Sequence, residues 1–121
     1  MPHVSPITCV DHHGARQLTI TGGYDGRVTA WRNGRELWTT MFDDLVNDVR
    51  LSDNGAEVAV AAADGHAYVL DTGTGAETAV LGPHGDDVNV VRWLPRGRGV
   101  VCTMDHVDPT VQLWERSADG T

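Results

Sequence analysis

The chain has 121 residues, 40% hydrophobic and 21% charged, which is room for one compact domain and not two. No stretch approaches the roughly 20 apolar residues of a membrane helix, and no basic segment followed by an apolar one opens the chain, so a cytoplasmic, non-membrane protein is expected. Seventeen acidic residues face nine basic ones, all of them Arg, and the net charge of -8 disfavours nucleic acid and anionic membranes while favouring basic or neutral partners. Arg without Lys, beside abundant Ala, Gly, Val and Asp, suggests a GC-rich bacterial source.

In chain order, short runs alternating in hydrophobicity are bounded by Gly, Asp, Asn and Pro, and no helix is indicated. Strands are expected over 7–10, 17–22, 27–32 and 36–40, with turns at His13-Gly14, Asp25-Gly26 and Asn33-Gly34. A second set follows over 48–51, 57–62, 66–71 and 77–81, with turns at Asp53-Asn54-Gly55, Asp64-Gly65 and 72–75. A third runs over 89–93, 99–103 and 110–115, and no clear outer strand follows it.

These sets are copies of one unit. The segment 24–31 aligns with 63–70 and 107–114, and 7–10 aligns with 46–49 and 88–91, at intervals of about 40 residues. Four short antiparallel strands at that period describe one blade of a β-propeller. The blade units are expected at about 3–41, 42–82 and 83–121, a single partial propeller over 1–121.

The residues at fixed places in each copy resemble the WD40-repeat family. That repeat has a His in the loop entering the inner strand, a hydroxyl on the second strand, an Asp in the next turn and a Trp on the third strand. His3, Thr21, Asp25 and Trp31 fill these places in the first copy, and His84, Asp108 and Trp114 fill three of them in the last. The second copy keeps only Asp64, with Phe42, Val60 and Leu70 elsewhere, and is expected to lose the polar clamp and lean on apolar packing. Such a tetrad is structural: its buried polar groups satisfy one another. Segments such as 26–31 and 34–38 also resemble quinoprotein-type propeller repeats.

Three blades do not close a ring of four to eight, so the chain is either a piece of a longer propeller, a ring-forming oligomer, or an open arc. Six His residues show no compact ligand spacing, and His12-His13 are expected in a turn. No Ser lies on a nucleophile elbow, and Cys9 and Cys102 fall in apolar runs, so no metal, cofactor or catalytic residue is expected. The Asp-rich turns over 53–55 and 71–75 lack the full ligand series of an ion loop.

Charge placement is more telling. The loops entering the inner strands and the turns between second and third strands share one rim, expected to carry Asp43, Asp44, Asp86, Asp87, Asp105, His106 and Asp108, while the opposite rim carries Arg16, Arg96 and Arg98. Arg50 and Arg92 occupy equivalent places on inner strands and are expected to pair with carboxylates. The expected function is a non-catalytic interaction platform or sensor segment, with a basic protein or peptide docking on the acidic rim. The alternative is an enzyme or small-ligand-binding propeller using a channel formed on oligomerisation.

Overall fold

The computed structural model describes residues 6–81, 88, 90–93, 99–104 and 110–115, the last two segments by their backbone alone. Eleven strands build three antiparallel sheets, and no helix occurs among the described residues. The first sheet runs β1 (Ile7–His13), β2 (Leu18–Gly23), β3 (Arg27–Arg32), β4 (Arg35–Met41) in that order. The second repeats it with β5 (Val46–Leu51), β6 (Glu57–Ala62), β7 (Ala67–Asp71) and β8 (Glu77–Leu81). The third has β9 (Val90–Trp93), β10 (Gly99–Met104) and β11 (Thr110–Glu115). These are blades of a WD40-like propeller, stacked face to face.

Valine, isoleucine and threonine in alternation favour the pleated, half-buried surface of a strand, and the Gly-bearing turns between them supply the positive φ that tight hairpins need. Most strands keep the expected course with ends shifted by one or two residues, and the largest departure is at the first hairpin. His12 and His13 lie in β1, which stays paired with β2 as far as His13↔Leu18, and the turn falls later, closed by Gln17 N–H to the Gly14 carbonyl at 3.1 Å. Gln17 itself takes a φ of 51° and therefore leaves the strand.

Blade packing follows from the register. Leu18, Ile20, Val28 and Ala30 of the first blade are buried against Val49, Val58, Val60 and Leu70 of the second. On the other side of the second blade the small residues Ala59, Ala61 and Ala67, with Val69, let Val88 and Val91 of the third come close. The pairing rows make the first blade's outward face chemically different. In the second blade the rows Val49↔Val60↔Tyr68↔Val80 and Leu51↔Val58↔Leu70↔Glu77 turn to the first blade. The matching rows of the first blade read Val10↔Thr21↔Thr29↔Thr39 and His12↔Thr19↔Trp31↔Glu36. Their hydroxyls bond within the face: His12 Nδ1 with Thr19 Oγ1 at 2.8 Å, and Thr29 Oγ1 with Thr39 Oγ1 at 3.1 Å.

Inner strands are tied sideways. In both β1 and β5 the register slips at the second residue, between Ile7 and Cys9 and between Val46 and Asp48. Such a bulge re-aims the extra residue. Thr8 Oγ1 donates to the Val46 carbonyl, and Asn47 Nδ2 donates to the Val88 carbonyl at 2.8 Å, so each bulged residue bonds the start of the next inner strand. Asn89, the equivalent residue by sequence, lies outside the described residues. Beside these clamps Asp48 is buried, accepting from Val49 N–H (3.0 Å), Val91 N–H (3.2 Å) and Arg92 Nη1 (2.7 Å).

Removing a buried acceptor leaves its donors unsatisfied. Asp48→Ala is expected to destabilise the fold by about 1–3 kcal/mol, read from urea unfolding, because it leaves the buried Val91 amide without its acceptor, while the half-exposed Arg92 turns to solvent.

Candidate functional site

The rim that carries the candidate site is assembled by two short segments pressed together. The turn between β2 and β3 meets the loop 42–45 between blades: Phe42 N–H donates to the Gly26 carbonyl at 2.8 Å. Gly26 has a φ of 81°, and a Cβ there would lie 2.5 Å from the Phe42 carbonyl oxygen, so only glycine permits this approach. The same loop is tied to the second blade through Ala63 N–H to the Leu45 carbonyl at 3.0 Å. Asp25, Asp43, Asp44 and Asp64 are thereby gathered at one end of the two blades. Asp43 and Asp44 are exposed, and Asp44 Oδ1 accepts the Leu45 amide at 2.8 Å. Tyr24 in the turn and Met41 at the end of β4 are about three-fifths exposed, at 60% and 61%.

Beneath the rim, the first blade holds Trp31 Nε1 on Thr21 Oγ1 at 3.0 Å. Asp25 Oδ1 accepts the Arg27 amide at 3.1 Å, and its other oxygen lies 3.8 Å from Arg27 Nε. His3, His84 and Asp108 lie outside the described residues, and Trp114 sits in β11, where the backbone alone is described. In the second blade the expected loss of the polar clamp is corrected. Asp64 accepts the His66 amide at 3.0 Å on one oxygen and the Tyr68 hydroxyl on the other, while Phe42 stacks on Tyr68 with ring centroids 4.6 Å apart. Tyr68 thus supplies from the third strand the donor that Val60 and Leu70 cannot. Its signal in the sequence was a Tyr four residues after the turn Asp, paired in register with Val60.

Burial, followed by the hydrogen bond and charge of Asp64, pushes the Tyr68 phenol above its ordinary range. Burial likewise raises the Cys9 thiol, which is half-buried and weakly nucleophilic in that state. Asp86, Asp87, Asp105 and His106 lie outside the described residues, so of the expected rim residues the structure brings together Asp43 and Asp44 with the turn carboxylates.

The opposite rim is held by His13 and Arg16. His13 Nε2 is 2.8 Å from the Asp53 carbonyl oxygen, and Arg16 Nε donates to the Asn54 carbonyl at 2.6 Å, joining the first hairpin turn to that of the second blade. Arg96 and Arg98 lie outside the described residues. On the inner strands Arg50 is 3.7 Å from Asp48 and 3.9 Å from Asp11, and Arg92 is bonded to Asp48, so both arginines serve structural carboxylates. The Asp-rich turns are turn chemistry: Asn54 Oδ1 accepts the Ala56 amide at 2.9 Å and Asp71 Oδ2 accepts Thr74 Oγ1 at 2.9 Å. Among the described residues no group of three or more His, Cys, Asp or Glu could hold a metal ion.

Comparison with known proteins agrees with this architecture. The family description "WD domain, G-beta repeat" matches residues 1–32. The chain is 27% identical over 125 residues to WD repeat-containing protein 1 of Gallus gallus, covering 98% of this chain and 20% of that protein. It is 28% identical over 120 residues to its Bos taurus counterpart, covering 93% and 20%. The chain therefore spans about a fifth of these relatives' length. They are vertebrate proteins and lend no support to a bacterial source. The crystal structure of the WD40 β-propeller domain of Doa1 superposes with a TM-score of 0.80 at 21% identity, covering 93% of this chain and 38% of that one, a likeness of fold.

Replacing Tyr68 by Phe removes a donor from a partly buried carboxylate and is expected to cost about 1–2 kcal/mol. The pH dependence carries the sign. A phenol whose folded pKa is raised holds its proton more tightly when folded, so this contribution is intact below the unfolded value of 10.0 and fades as pH rises above it. Unfolding measured between neutral and strongly alkaline pH should show that decline in the parent chain and a smaller one in the Tyr68→Phe variant.

Proposed function

We propose that this arc of WD40-type propeller blades is a non-catalytic platform that docks a basic protein or peptide segment on its acidic rim. Proteins built from this repeat act generally as protein-interaction scaffolds. The observation that carries the finer reading is the exposed pair Asp43 and Asp44, set on a loop that is bonded to the turns of both flanking blades. A loop fixed at both ends presents its charges with little ordering left to lose, and a field of one sign steers an oppositely charged partner. The proposal takes in Asp86, Asp87, Asp105 and His106 by sequence equivalence alone, since they lie outside the described residues. Exposed Tyr24 and Met41 border the same rim and offer apolar area beside the charge.

In this proposal the residues that fit the repeat's tetrad, His3, Thr21, Asp25 and Trp31 with Asp64, His84, Asp108 and Trp114, serve the fold and not the partner, and among the described ones Trp31 Nε1 bonds Thr21 Oγ1. The hydroxyls of the first blade's outward face are engaged within the sheet, with Thr21 and Thr29 buried, so the rim carries the proposal.

Neutralising the pair by Asp43→Asn with Asp44→Asn is expected to weaken capture of an arginine-rich peptide about tenfold at low salt while leaving the unfolding midpoint unchanged. Added salt should erase the difference. Equal affinity of parent and variant, with both folded, would contradict the proposal.

A further inference from the structure

The chain contains two Asn-Gly pairs, Asn33-Gly34 and Asn54-Gly55, and the fold treats them oppositely. Asn54 is locked: its Oδ1 accepts Ser52 Oγ at 3.0 Å and the Ala56 amide at 2.9 Å, and the Gly55 N–H donates to the Ser52 carbonyl at 2.9 Å. Gly55 is buried beneath the first blade, where a Cβ would come within 2.7 Å of Arg16 Cδ and 2.9 Å of the His13 ring. Asn33 and Gly34 form the two-residue turn between β3 and β4, with φ of 53° and 78°, and both are exposed. A Cβ at Gly34 would meet nothing within 4 Å, and no hydrogen bond holds the Asn33 side-chain amide among the described residues.

We propose that Asn33 is a site of spontaneous covalent modification, deamidation through a cyclic imide, from which Asn54 is protected by the fold. The Gly34 nitrogen gives up its proton and attacks the Asn33 Cγ. The new N–Cγ bond closes a five-membered ring, and the Cγ–Nδ2 bond breaks to release ammonia, which carries the proton away. Water then opens the imide at either carbonyl, leaving Asp or its isomer with the main chain running through the side chain.

Three features favour the step at Asn33. Glycine puts no side chain in the path of attack, the open space around the turn lets the backbone reach the attacking geometry, and cations stabilise a deprotonated amide nitrogen. Arg32 and Arg35 flank the pair in the chain. Modification therefore writes a carboxylate into the cationic rim, opposite the acidic one. The isomerised product also adds a main-chain atom beside the bulge that separates Ala30↔Trp38 from Trp31↔Glu36, disturbing the attachment of the outer strand.

The test ages the intact folded chain in mildly alkaline buffer and follows the amide-to-acid mass increase in peptides spanning each pair. Modification at Asn33 should outrun that at Asn54 by at least about tenfold, the ratio set by the opening needed to free the hydrogen-bonded turn at Asn54 and the packed Gly55. In denaturant the two rates should converge, and the Asn33→Asp variant should show no mass gain at position 33. Equal rates at the two pairs in the folded chain would overturn the proposal, as would a preference for Asn33 that persists undiminished in denaturant, since protection by the fold would then have no part in it.

Discussion

Asp48 joins the second blade to the third. Its carboxylate is buried on an inner strand, where an unpaired charge would be expelled, and it is retained because the next blade supplies the compensation: the Val91 amide and the Arg92 guanidinium. Thr8 and Asn47 repeat the logic without charge, each bulged out of its strand, Thr8 to bond the first carbonyl of β5 and Asn47 to bond the Val88 carbonyl just ahead of β9. The blades thus do not merely stack apolar faces. They are stitched at the inner strands by polar groups that find their partners only when the neighbouring blade is in place.

The rim inherits its rigidity from this stitching. The loop 42–45 leads from the outer strand of one blade to the inner strand of the next, so its course depends on how the two blades sit. Bonds at Phe42 and Leu45 to the two flanking turns then leave Asp43 and Asp44 displayed on a fixed base. At the outer edge, Trp38 Nε1 donates to the Thr72 carbonyl at 2.8 Å and Thr40 Oγ1 to the Gly75 carbonyl at 2.7 Å, which holds the start of the same path. Gly75, at a φ of 78°, lies so close to Trp38 that a Cβ would fall 2.6 Å from its ring. Geometry at the rim is therefore a consequence of junctions on both its inner and outer sides.

Much of the fold was legible in the sequence because each strand carries its own signal: alternation marks the strands, and Asp-Gly or Asn-Gly marks the hairpins. The spacing of Asp25 and Asp64 was enough to align two blades. Three things were not legible. The bulges at Thr8 and Asn47 break the alternation at one residue near the strand start, placing Val46 and Val49 in one core cluster, and so short a break is recognisable only from the register. Tyr68 replaces a tetrad residue from a different strand position, so a search for Trp at the usual place passes over it. The polarity of the first blade's outward face appears only when His12, Thr19 and Thr39 are set beside Leu51, Val58 and Val80, a comparison that requires knowing which residues pair. For the rim, the clustering of Asp43 and Asp44 with the turns was readable from topology, while their fixed course depends on a Gly26 contact that sequence alone does not display.

The central claim is that the blades form one cooperative unit tied at the inner strands, and native-state hydrogen exchange on the intact chain tests it most directly. If the account holds, the protected amides of β2, β3, β6 and β7 exchange with one common opening free energy, and the Val91 amide opens with them. Separate opening energies for the first and second blades, with Val91 exchanging independently of both, would contradict it.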